Sequence, residues 1–371
     1  MSTTSSRIST RRCRPSTGSE SAQRSNLVPV AIERAPPPPL VTDLRERRTR
    51  RGSFRDRGKR IEIGLVNNMP DAAVAAVERQ FTRLIEAASG EFDVRLQLFS
   101  LQTLPRGEEA RQAIAAQYRP AHALTLASLD ALIVTGAEPR AANLAEEPFW
   151  RELSGVLDWA DARTISTVLS CLAAHAEVLR RDAVVRRKLA GKRSGVYPIR
   201  VAQRHELLEG FDDEYLTPHS RYNDLDEAEL VAKGYAILAR SAQSGADLFV
   251  KEANSLLVFL QGHPEYDADT LAREYRRDMT RFLRGEAAIM PRAPENYFPA
   301  PLAAAIEAFA ARAASRPGPA LASDYPDAAL SVDATPWRAP AERLFGNWLR
   351  AIARRKAARN ATSFAVARWG G

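Results

Sequence analysis

The 371-residue chain reads as an α/β protein: a doubly wound, mostly parallel sheet with helices on both faces. Three features carry this reading. Short, continuously apolar runs rich in β-branched residues recur along the chain. Segments with helical spacing alternate with them. No stretch approaches the roughly 18 consecutive apolar residues that a membrane span needs.

The first strand is expected over residues 61–67 (IEIGLVN). Asp71 then stands where a helix N-cap belongs, before residues 72–88 with Val74, Val77, Phe81 and Leu84 at helical spacing. Residues 92–101 alternate apolar and polar, as a half-buried strand does, and residues 108–118 have helical character. Residues 129–135 (LDALIVT) and 164–170 (TISTVLS) are buried strands on either side of a helix over 147–160. A further helix starts at once at Leu172 and runs to about Arg181. Later strands are expected at 195–202, 235–240, 246–252 and 256–260, and helices at 267–284, 302–315 and 340–358. Residues 291–299 (PRAPENYFP) form an irregular aromatic loop. Four segments result: a tail (1–60), a main domain (61–290), a C-terminal extension (291–358) with a proline-rich insertion, and a flexible end (359–371).

Charge separates the tail from the rest. The net charge is +8, but residues 1–60 hold 15 basic and 5 acidic side chains, and the other 311 residues hold 38 and 40. The folded part therefore has no basic footprint, which argues against nucleic acid as a partner. The Ser-, Arg- and Pro-rich tail cannot bury enough apolar surface to order itself, so it is expected to be disordered. It lacks the apolar core of a secretory signal. With only Cys13 and Cys171, a disulfide scaffold is excluded, and a reducing, cytoplasmic setting is expected. No P-loop, GxGxxG or zinc spacing occurs, so no cofactor or metal is expected.

Cys171 ends an apolar strand and opens a helix. In an open α/β sheet, ligands bind beyond the carboxyl ends of the strands. The helix N-terminus offers N–H groups and a positive end, which stabilise a thiolate. A lone cysteine in such a place is also often a small buried hydrophobe. His263 follows another apolar strand, and Glu265 two residues on is placed to orient its ring. A nucleophile, a base and an orienting carboxylate form the general triad arrangement. The compact polar segment 218–222 (PHSRY) lies between expected strands and reads as an ordered loop.

Together these blocks resemble the homoserine O-acyltransferases of the succinyltransferase type, a branch of the class I glutamine amidotransferase-like, flavodoxin-like fold. The matching residues are LVNNMP (65–70), DALIVTGA (130–137), SCLAAHA (170–176), GKRSGVY (191–197), GFDDEYLTPHSRY (210–222), GHPEYDADTLAREYRRD (262–278), PENYFP (294–299) and WRAPAERLFGNWL (337–349). The resemblance implies an acyl-thioester on Cys171, with His263 as general base and Glu265 as its partner. Lys192, Ser220 and Arg277 match the family's substrate-binding positions. The backbone of Leu172 and Gly136 is placed to form the oxyanion hole. Substrates would be an acyl-CoA and L-homoserine, in the first committed step of methionine biosynthesis. A homodimer is the commonest symmetric assembly.

The chain departs from the family pattern after the nucleophile. Tryptophan and glutamine are usual one and four places beyond the cysteine, where this chain has Leu172 and His175. The position that tunes acyl choice falls on Arg140, where succinyl users tend to have Gly and acetyl users Glu. A cation there suits a succinyl carboxylate, so succinyl-CoA is the expected donor and acetyl-CoA the alternative. Serine is an alternative acceptor. A glutamine amidotransferase would use the same triad, but its elbow normally has Gly two residues either side of the cysteine, where Leu169 and Ala173 stand here. A catalytically inactive binding homologue is the remaining alternative.

Overall fold

The computed structural model describes residues 30–33, 59–326 and 335–369, with side chains to residue 361. Their strands form one eleven-stranded sheet. In chain order these are β1 (Ala31–Glu33), β2 (Arg60–Val66), β3 (Asp93–Ser100), β4 (Arg119–Pro120), β5 (Ala131–Val134), β6 (Ser166–Ser170), β7 (Arg187–Val201), β8 (Glu214–Asp224), β9 (Ala236–Ser241), β10 (Gly245–Glu252) and β11 (Leu256–Leu260). Across the sheet they run β1-β3-β2-β5-β6-β11-β10-β9-β7-β8, with β4 beside β3. From β1 to β11 every pairing is parallel; beyond β11 every pairing is antiparallel.

Successive strand residues feed two separate cores, which is why the strands are apolar throughout. Ala131 and Ile133 of β5 join a cluster with Val77 and Phe81 of α1 (Val74–Ala88) and Phe345 and Trp348 of α8 (Arg338–Trp369). Leu132 and Val134 join another with Leu153 and Val156 of α3 (Trp150–Arg163) and Ala173 of α4 (Leu172–Asp182). Helices thus cover both faces. The remaining helices are α2 (Glu108–Gln117), α5 (Glu227–Ala232), α6 (Thr270–Leu283) and α7 (Ala300–Ser315), the last two sharing a smaller core around Met279 and Phe309.

Four local expectations need correction. Residues 31–33, assigned to a disordered tail, form the edge strand β1, anchored by the buried Val30 before it and by Glu33, which pairs with Arg95 at 3.2 Å. The rest of residues 1–58 lies outside the described residues. Asp71 does not cap α1. It instead accepts the Gly107 N–H at 2.9 Å and pairs with Arg106 at 3.0 Å, joining two loops. The PHSRY segment is not a loop but part of β8, in register with β7 (Ser194 opposite Ser220). The last helix continues past 358 to Trp369. The proline-rich insertion lies partly outside the described residues, at 327–334.

Candidate active site

The parallel half of the sheet presents Cys171. It follows β6 directly, and its N–H donates to Leu260 O of β11 at 2.7 Å. Its backbone sits at φ 50°, ψ −107°, a strained conformation for a residue with a Cβ. That bend turns the chain from strand into α4 and keeps the thiol partly exposed. Leu172 is the first residue of the helix, so its N–H has no partner within it. Gly136, after β5, packs against that amide: a Cβ there would lie 3.4 Å from Leu172 N. The two expected oxyanion donors therefore come from adjoining backbone.

His263 follows β11, the strand beside β6. Its N–H donates to Pro218 O at 2.8 Å, which fixes the turn. Its Nδ1 meets Glu265 Oε1 at 2.8 Å, and the Cys171 side chain is close enough to act on the ring's charge. Tyr266 stacks on the ring, centroids 4.3 Å apart and planes 17° apart. Burial alone would lower the imidazole's pKa, but the Glu265 carboxylate and Cys171 outweigh it and hold the pKa well above 6.5. Sulfur, imidazole and carboxylate thus form one chain.

Gly262 shows why the base sits where it does. A Cβ there would come within 2.4 Å of Thr217 Cγ2 and 2.5 Å of Asp247 Oδ1. The strand end lies flat on a second buried pair, His219 and Asp247, 3.0 Å apart. Only glycine allows that approach.

Lys192, Ser220 and Arg277 converge on two carboxylates that the sequence reading missed, Glu274 and Asp278 of α6. Lys192 Nζ lies 3.0 Å from Glu274 and 2.8 Å from Asp278. Ser220 Oγ and Tyr266 OH both donate to Glu274. Arg277 grips Asp278 with Nε at 2.8 Å and Nη2 at 2.7 Å. Burial would raise the Glu274 pKa, but Lys192, Ser220 and Tyr266 bring it down to about 2. The cluster holds equal numbers of cations and anions, which suits a zwitterion. Helical spacing was the available signal: Glu274, Arg277 and Asp278 share one face of α6 at i, i+3 and i+4. The PENYFP loop closes this side. Glu295 exchanges backbone hydrogen bonds with Ser194 and Val196 at 2.9 Å each, across Gly195.

Arg140 is exposed, and its side chain has no partner among the described residues. Its backbone N–H donates to the buried Glu147 carboxylate at 2.5 Å. The guanidinium lines a cavity of about 300 Å³ that also receives Arg106, Glu138 and Arg281.

His175, one turn into α4, is buried, and its Nε2 lies 3.0 Å from Gln261 Oε1, beside Gly262. Burial pushes its pKa down to about 4, against the Gln261 hydrogen bond. The unfolded chain therefore binds a proton below pH 6.5 that the folded chain refuses until about pH 4. Stability falls as pH drops through that window, by about 2 kcal/mol at pH 5 from this group. Denaturant titrations at pH 7 and pH 5 should show that loss in the native chain and its absence in His175→Gln.

Comparison with known proteins gives a consistent picture. A family model described as "HTS: Homoserine O-succinyltransferase" matches residues 46–358. A homoserine O-succinyltransferase of Methylorubrum extorquens is 50% identical over 300 residues, spanning 81% of this chain and 89% of that protein. One from Rhodopseudomonas palustris is 47% identical, spanning 79% and 88%. Among solved structures, a glutamine amidotransferase from Methylobacillus flagellatus aligns with a TM-score of 0.46 at 16% identity, covering 79% of this chain and 95% of that one.

Proposed function

The chain belongs to the homoserine O-succinyltransferase family, and from that premise we propose that it carries a succinyl group from succinyl-CoA to the γ-hydroxyl of L-homoserine through an acyl-Cys171 intermediate. The observation that supports this most directly is the Cys171–His263–Glu265 chain at the carboxyl ends of two adjacent parallel strands. The step belongs at the start of methionine biosynthesis.

The proton count closes over two half-reactions. In the reacting form the thiolate of Cys171 faces a protonated His263. The sulfur attacks the donor's carbonyl carbon, the bond to the CoA sulfur breaks, and His263 gives its proton to the departing thiolate. Acylation removes the negative charge from Cys171 and with it part of what held the proton on the ring. Neutral His263 then takes the proton of the homoserine hydroxyl as that oxygen attacks the thioester. Cys171 leaves as thiolate and the reacting ion pair returns. The N–H groups of Leu172 and Gly136 serve the oxyanion of each tetrahedral intermediate.

In this reading Arg277 takes the acceptor's carboxylate as a planar two-point ligand. Glu274, which Lys192 and Ser220 contact, takes its ammonium group in the same reading. A working nucleophile must stay reduced, which fits a cytoplasmic location. No helix among the described residues is long and apolar enough to cross a membrane.

Intact-mass measurement after mixing with succinyl-CoA should show one added succinyl group, removed on adding homoserine. Parallel lines in a two-substrate kinetic analysis are the matching steady-state result. The donor choice is assigned to Arg140. Arg140→Glu should lower the preference for succinyl-CoA over acetyl-CoA by about tenfold, the equivalent of 1.4 kcal/mol. Competition between the two donors measures it, and an unchanged ratio would remove Arg140 from the assignment.

A further inference from the structure

None of the steps above uses most of the cavity that Arg140 lines. Its volume is about 300 Å³, larger than a four-carbon acyl group requires, and its wall carries three guanidiniums, Arg106, Arg140 and Arg281, against one carboxylate, Glu138. Asn68, Leu104 and Glu138 place it beyond the carboxyl ends of β2, β3 and β5. Cys171 stands beyond β6, the strand beside β5. The cavity therefore continues the catalytic row away from β11 and the acceptor cluster. Arg281 joins it from α6, one turn beyond Asp278.

Two of the cations differ in kind. Arg106 is a fixed charge: its side chain is 4% exposed, it donates to Met69 O at 2.9 Å and it pairs with Asp71 at 3.0 Å. Arg281 is adjustable. Its side chain is 44% exposed, and it meets Glu138, itself 55% exposed, at 3.3 Å. An exposed pair of this sort contributes little, so a multivalent anion displaces Glu138 at small cost. A planar guanidinium matches phosphate oxygens in pairs, and several together favour a ligand with more than one phosphate.

We propose that this cavity seats the phosphate-bearing nucleotide end of the thioester donor, with Arg281 as its movable ligand and Arg106 as a fixed positive wall. The inference rests on the acyl-CoA reading of the neighbouring thiol. It gives the donor an anchor besides Arg140, so that affinity for CoA and reactivity at sulfur are set by different residues.

The test separates the two readings. Titration calorimetry with free CoA is carried out on the native chain, Arg281→Gln and Arg281→Glu. CoA should bind the glutamine variant about tenfold more weakly and the glutamate variant more weakly still. In turnover, Arg281→Gln should raise the KM for succinyl-CoA about tenfold relative to the KM for S-succinyl-N-acetylcysteamine, a donor without phosphates. Equal CoA affinity in all three proteins, or an equal rise in KM for both donors, overturns the assignment. If the native chain used neither donor, the acyl-transfer reading would fall, while the calorimetry with CoA would still decide the cavity.

Discussion

Replacing Cys171 with alanine lowers turnover by at least about four powers of ten, and no acyl-enzyme forms. The size of the effect follows from what the residue does: without a nucleophile the reaction loses its covalent intermediate, and only binding and oxyanion contacts remain. Serine should fare little better. His263 is tuned to face a thiolate, and a serine hydroxyl supplies no negative charge to hold the ring proton. Both variants should fold, because alanine and serine fit the space, and Leu260 O bonds the backbone N–H rather than the side chain. Succinyl-CoA consumption and intact mass, measured on the same samples, check the result. Turnover close to native in Cys171→Ala would mean that homoserine attacks the donor directly.

His263→Ala should cost about three powers of ten, and Glu265→Gln about two. The glutamine variant is the more informative. It keeps a polar group against Nδ1 but removes the carboxylate that raises the ring's pKa against burial. In the native chain the acylation step therefore stays active well above pH 6.5, until the imidazolium loses its proton. In Glu265→Gln that alkaline limb moves to lower pH. The same coupling acts on stability. The folded pKa lies above the unfolded value of about 6.5, so this group's contribution is complete below that pH and disappears as pH rises through the folded pKa. Single-turnover acylation followed against pH measures the limb; an unmoved limb would place the charge control elsewhere than Glu265.

Apolar strands alternating with helical patterns were legible in the sequence, because a parallel sheet buried on both faces leaves a continuous apolar signature. Cys171 was legible because it follows such a strand directly, and His263 because it comes within three residues of another. Strand β8 was hidden. Its sequence, EYLTPHSRYND, carries buried polar residues that serve the His219–Asp247 pair and the acceptor cluster, so it lacks the apolar run that marks a strand. Strand β1 was hidden for another reason: three residues within a Ser-, Arg- and Pro-rich segment order only because β3 offers a free edge. Glu274 and Asp278 were readable as one helix face, but charged residues on an amphipathic helix ordinarily face solvent. What sets these two apart is that Lys192 and Ser220 come to them from a distant hairpin.

Nucleophile and base follow the ends of two neighbouring strands of one ladder, with Ser170 opposite Leu260 and the Cys171 amide bonded to Leu260 O. Neighbouring strands keep a spacing of about 4.8 Å. The sheet is thus a ruler for the reacting pair: its backbone bonds set the spacing of the two strand ends, and the His263 N–H on Pro218 O holds the short turn that carries the ring. Sequence drift in the surrounding loops can then retune which molecules are admitted while leaving the distance over which the proton travels untouched.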